Sequence, residues 1–94
     1  MIEHNVYFDG NVQSLGLDGH DKPATVGVMA KGEYEFGTQA AELMQVVAGE
    51  LIVNLPGADE WQSYTRGESF NVPADSKFQL RVPVDTAYLC IYGD

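Results

Sequence analysis

Gly67-Glu68-Ser69-Phe70-Asn71-Val72-Pro73-Ala74-Asp75-Ser76-Lys77-Phe78-Gln79-Leu80-Arg81-Val82 is the stretch whose pattern decides the fold class. Phe78, Leu80 and Val82 alternate with Gln79 and Arg81, so one set faces a core and the other faces water. Gly67 permits the positive φ of a tight turn, and Pro73, lacking an N–H, ends a strand where no ladder donor is needed. The same grammar extends outward through Asp9-Gly10, Asp18-Gly19-His20-Asp21, Lys31-Gly32, Ala48-Gly49, Pro56-Gly57 and Pro83-Val84-Asp85. Between these turn formers, residues 26–30, 51–55 and 87–92 are rich in β-branched and aromatic side chains. Residues 39–47 offer the one helical alternative. Met44-Gln45-Val46-Val47 running into Ala48-Gly49 reads better as a strand entering a turn, with residues 50–55 as its hairpin partner. About ten short strands are expected, which predicts an all-β sandwich or barrel. No linker or repeat divides residues 1–94, so one domain is expected.

Composition narrows the partners. Five Lys plus Arg stand against fourteen Asp plus Glu, a formal charge of −9, and the pI is about 4.3. Lys22, Lys31, Arg66, Lys77 and Arg81 are scattered, so no basic stripe exists to neutralise a nucleic-acid backbone. An anionic membrane surface is disfavoured for the same reason. One Trp, five Tyr and four Phe supply core material, but a chain of this size buries only roughly 60–65% of its unfolded surface, so a second subunit would help stabilise it. Cys90 alone cannot form an internal disulfide. Met1-Ile2-Glu3-His4-Asn5 lacks the basic n-region of a signal peptide, and a cytoplasmic protein is expected.

Two segments resemble the cupin signature. Gly32 is followed after five residues by Thr38 and then Ala40, the positions where that family usually places two histidines. Glu42 is followed after six residues by Gly49, and comes sooner after those positions than the usual motif has it. In the second segment Gly67 precedes Pro73 by five intervening residues, and Phe78 takes the place of the third histidine. Ala and Phe cannot bind a metal, and Glu42 is a single carboxylate. No metal site is expected. His4 and His20 lie outside both motifs and read as solvated loop residues.

A closer resemblance runs through nearly the whole chain. Asn5-Val6-Tyr7-Phe8-Asp9-Gly10, Val26-Gly27-Val28-Met29, Gly32-Glu33-Tyr34-Glu35-Phe36, Leu55-Pro56-Gly57, Trp61-Gln62-Ser63-Tyr64, Phe70-Asn71-Val72-Pro73 and Tyr88-Leu89-Cys90 resemble the small bacterial pyrimidine/purine nucleoside phosphorylases. The resemblance implies a single-domain cupin (a double-stranded β-helix or jelly-roll barrel), dimeric and metal-free. It implies phosphate-dependent cleavage of many nucleosides to ribose 1-phosphate and free base. No cofactor is implied beyond phosphate as co-substrate.

Candidates follow for each task of that reaction. Glu42 and Asn71 suit sugar hydroxyls, and a carboxylate near the ring would favour the positive charge developing on it. Phe78 would give an apolar wall. Tyr7, Trp61, Tyr64, Tyr88 and Tyr92 suit base stacking, which tolerates any base, although each serves equally as core or dimer interface. Thr25 sits where the family has a small hydroxyl residue close after basic or polar ones, and with Lys22 it would make an anion nest. Lys22 stands farther from the Thr position than the basic residue of many relatives. Thr38 is a further hydroxyl candidate, and Arg81 is expected to point outward. Cys90, in an apolar strand, reads as a buried structural thiol. Two other readings stay open from the residues alone: a non-catalytic binding module for a sugar or nucleoside, and a metal-dependent cupin enzyme, against which Thr38, Ala40 and Phe78 argue.

Overall fold

A computed structural model describes residues 1–19 and 21–93; His20, read above as a loop residue, lies outside them. Among the described residues ten strands run in chain order: β1 (His4–Tyr7), β2 (Val12–Leu17), β3 (Ala24–Met29), β4 (Gly32–Gly37), β5 (Glu42–Ala48), β6 (Glu50–Asn54), β7 (Gln62–Thr65), β8 (Ser69–Val72), β9 (Lys77–Val82) and β10 (Thr86–Tyr92). They form a six-stranded sheet, β1-β2-β3-β10-β5-β8, and a four-stranded sheet, β4-β9-β6-β7. Every ladder is antiparallel. Among the described residues the only helical element is the 3-10 turn Phe8–Gly10. Among the described residues no helix is long and apolar enough to cross a membrane.

The alternation read from residues 78–82 is realised: Phe78, Leu80 and Val82 are buried, while Gln79 and Arg81 are exposed. Facing them across the sandwich are Val12, Met29, Met44 and Val46 of the six-stranded sheet. Burying one such side chain contributes about 1.5–3 kcal/mol. Arg81 points outward as expected, its guanidinium 4.0 Å from the Trp61 ring centroid and 3.7 Å from Glu33.

One pairing expectation is corrected. Strands β5 and β6 are not hairpin partners: β5 pairs β10 and β8, whereas β6 pairs β9 and β7. Gly49, at φ +100°, turns the chain from one sheet into the other. A Cβ there would collide with Thr86 Oγ1 and approach Asp85 O to 3.0 Å. Thr86, fully buried, accepts a hydrogen bond from Glu50 N at 3.0 Å, and its hydroxyl lies 2.8 Å from Val84 O. The Ala48-Gly49 signal was thus a corner between layers. Period-two patterning marks a strand but does not say which sheet receives it.

Candidate functional site

The inner face of the six-stranded sheet opens into a cavity of about 190 Å3 at one end of the sandwich. Tyr7, Ser14, Met29, Glu42, Met44, Tyr88, Cys90 and Tyr92 line it from the six-stranded sheet, and Phe36, Gly37 and Phe78 from the other. Tyr88, Cys90 and Tyr92 are two residues apart on β10, so the strand period alone places all three on the inner face. Tyr88 needs special room. It pairs with Gly27 of β3, and a Cβ on Gly27 would stand 2.5 Å from the ring and hydroxyl of Tyr88. This mid-strand glycine leaves the space in which the tyrosine lies.

Polar atoms in the cavity are few and linked. The Cys90 thiol donates to Glu42 Oε1 at 3.5 Å. The Tyr92 hydroxyl is 3.1 Å from Thr25 Oγ1. Asn5 Nδ2 donates to Ser14 Oγ at 3.3 Å. Burial raises the Glu42 carboxyl above the usual carboxylate range, and the bond from Cys90 offsets part of that rise. Burial, with the Glu42 charge adding to it, pushes the Cys90 thiol up to about 12. Burial likewise pushes Tyr88 up to about 12 and raises Tyr92 further. At neutral pH these groups are neutral hydrogen-bonding hydroxyls and a thiol. Cys90 is buried and its thiolate disfavoured, which accords with its reading as a buried thiol.

Glu42 also lines a second hollow. Lys22, Leu43, Asn71, Pro73 and Ile91 border a groove of about 500 Å3 on the far side of Glu42 from the aromatic cavity. Glu42 therefore borders two hollows: its carboxylate meets Cys90 in the one walled by aromatics, while the other, bordered by a cation and an amide, lies on the side of the sheet to which Leu43, Asn71 and Ile91 point.

The other sequence candidates fall in different places. Tyr7, Phe78 and Tyr88 line the cavity with Glu42; Lys22 and Asn71 border the groove. Thr25 and Lys22 line no common hollow, and Thr25 reaches the cavity through the Tyr92 hydroxyl. The structure does not bring Thr38, Trp61 or Tyr64 to either hollow. The Thr38 hydroxyl donates to Pro73 O at 2.7 Å and accepts from Ser76 N at 3.1 Å, so it staples two loops. Trp61 covers Arg81 on the outer face, and Tyr64 packs on Phe70 with centroids 4.7 Å apart. Sequence reasoning missed Ser14, Met29, Phe36 and Met44; the inward phase of their strands was the available signal.

The donor set does not fit the transition metal that a cupin barrel often holds. Thr38 Oγ is occupied by backbone partners, and Ala40 and Phe78 have no donor atom. Among the described residues no group of three or more His, Cys, Asp or Glu is arranged to hold a metal ion.

Residues 2–92 match the family described as pyrimidine/purine nucleoside phosphorylase. The chain is 62% identical over its full 94 residues to a pyrimidine/purine nucleoside phosphorylase of Pseudomonas entomophila, covering all of both chains. It is 63% identical over 92 residues to one of Tolumonas auensis, covering 98% of this chain and 99% of the relative. Among solved structures, a Vibrio parahaemolyticus protein of unknown function superposes with a TM-score of 0.94 at 51% identity, covering 98% of each chain. An RmlC-like cupin from Shewanella frigidimarina, at 23% identity, superposes with a TM-score of 0.77 over 97% of this chain and 82% of that one. The last likeness is one of fold, and the fold is the cupin barrel.

Proposed function

The chain belongs to the pyrimidine/purine nucleoside phosphorylase family, and from that premise we propose that it cleaves purine and pyrimidine nucleosides alike with inorganic phosphate, without a metal, in the cytoplasm. The observation that carries this reading is Glu42 at the boundary between the aromatic cavity and the groove bordered by Lys22. The base enters the cavity among Tyr7, Phe36, Phe78 and Tyr88. The ribose lies at Glu42, with Asn71 as a further partner for its hydroxyls. Phosphate approaches from the Lys22 side, and Thr25 acts on the cavity through Tyr92. The glycosidic C–N bond breaks with its electron pair going to the base, a C–O bond forms to phosphate, and the phosphate hydroxyl proton ends on the base. An ionised Glu42 beside the sugar stabilises the oxocarbenium character between those events. Broad specificity follows from walls that offer stacking surfaces and few groups to read a base edge.

The active unit in this reading is a homodimer. Leu15, Leu17, Val26, Val28 and Val47 are each 39–53% exposed on the outer face of the six-stranded sheet. Leu15, Val26 and Val28 share a shallow surface with Ala87 and the single carboxylate Asp85, and a second copy seated there would bury these apolar side chains.

The test is to incubate chelator-treated protein with uridine or adenosine, with and without phosphate, and measure free base. Release is expected only with phosphate and at the same rate after chelation. Lys22→Ala is expected to raise KM for phosphate and leave KM for nucleoside unchanged. No turnover of any nucleoside would instead favour the binding-module reading, and activity restored only by added iron or zinc would revive metal chemistry.

A further inference from the structure

Phe8 stands in a conformation that bulky side chains avoid. Its φ is +51° and that of Asp9 is +57°, both in the left-handed region, followed by Gly10 at +92°. Asp9-Gly10 explains two of the three: an Asp-Gly pair is well suited to a turn with consecutive positive φ. Nothing in turn chemistry asks for a phenylalanine before it. The turn is nevertheless held firmly. Asn11 donates to Phe8 O from its backbone N at 3.1 Å and from Nδ2 at 3.0 Å. Gln13 Nε2 donates to Gly10 O at 3.0 Å, and Ala30 N to Asn11 O at 2.7 Å.

The unusual backbone swings the Phe8 ring across to the other sheet. Its centroid lies 5.0 Å from that of Tyr34 and 5.3 Å from that of Phe36, both on β4. Strands β1 and β4 are the edges of their respective sheets, and no ladder joins them. Phe8 is therefore an aromatic clasp across an open seam. That seam borders the cavity, since Tyr7 on one side and Phe36 on the other both line it. Tyr7 itself is 46% exposed on an edge strand of four residues, so its own packing holds it weakly.

We infer that Phe8 is a positioning residue whose clasp on Tyr34 and Phe36 fixes the Tyr7 ring at the cavity wall, where it covers the nucleobase. The inference rests on the reading of the cavity as the nucleoside site. It adds a division of labour: Tyr7 and Phe36 touch the base, and Phe8 acts through them. Strain in the backbone is the cost of aiming a ring at β4 from a residue adjacent in sequence to one aimed into the cavity.

Steady-state kinetics with uridine and with adenosine test it. Phe8→Ala is expected to raise KM for both nucleosides by roughly two- to tenfold, the scale of a lost aromatic pair, with kcat and KM for phosphate near wild type. Phe8→Leu, which keeps bulk in the seam should the alanine variant fold poorly, is expected to show the same shift in part. The Phe8→Ala shift is expected to be smaller in the Tyr7→Ala background than in wild type, because only the Phe36 side of the clasp then remains to act on the base. An unchanged nucleoside KM in Phe8→Ala, or fully additive effects in the double variant, overturns the inference. A wild-type protein with no phosphorolysis overturns the functional reading instead, and nucleoside affinity by equilibrium dialysis on the same variants then decides the role of Phe8 by the same pattern.

Discussion

Glu42 is a carboxylate whose ionisation is opposed by burial and only partly favoured by a weak thiol donor. The role proposed for it, beside a developing positive charge, requires the ionised form. The acid limb of the pH–rate profile is therefore expected above the ordinary carboxylate range, with activity falling as pH drops through it. Glu42→Gln is expected to remove that limb and lower kcat by about 10²–10³, the scale of one lost electrostatic contact in a transition state. Stability moves the other way. A carboxyl raised in the folded state holds its proton where the unfolded chain has lost it, so stability declines as pH rises from the unfolded to the folded value. The glutamine variant is expected to lose this decline, and thermal midpoints of both proteins across acid to neutral pH would show it. Persistence of the limb in the glutamine variant would assign it to another group.

Among the elements, the corner at Gly49 is the most exacting. Gly49→Ala meets positive φ together with the Thr86 backbone and Asp85 O, whereas Gly57→Ala, at φ +76°, meets only the backbone penalty in open space. The first is expected to cost more than the second, which alone is on the order of 1 kcal/mol. Each kcal/mol lowers the melting midpoint by roughly 4–8 °C in a domain this small. Equal midpoints in the two variants would show that the corner relaxes freely. The strands themselves were legible because alternation and turn formers are local: residues 78–82 alternate, and Pro73-Ala74-Asp75 and Pro83-Val84-Asp85 bracket them. The destination of β6 was not legible, since Gly49 serves a tight hairpin and a change of sheet equally well. Of the residues chosen by chemistry, Glu42, Tyr7, Phe78 and Tyr88 line the cavity, whereas Thr38, Trp61 and Tyr64 lie elsewhere. A hydroxyl or ring carries the same letter whether it faces a cavity, a loop carbonyl or Arg81, so the sequence could not sort them.

For the molecule as a whole, the proposed dimer places its interface on the outer face of the six-stranded sheet. Val28 is 53% exposed near its centre. Val28→Glu is expected to leave the barrel folded, because the side chain points away from the core. It would place a charge in each half of a two-fold interface and give monomers by sedimentation velocity where the wild type gives dimers. A wild-type protein that sediments as a monomer would remove the dimer from the proposal.

The central place in the larger sheet belongs to β10, which pairs β3 on one side and β5 on the other. In chain order it comes after every other strand. A growing polypeptide thus holds a gap in its widest sheet, with two unsatisfied strand borders, until β10 arrives. That strand also brings Tyr88, Cys90 and Tyr92, so the pocket and the ladders to β3 and β5 are completed in a single event. A chain interrupted before β10 displays two sticky borders for aggregation.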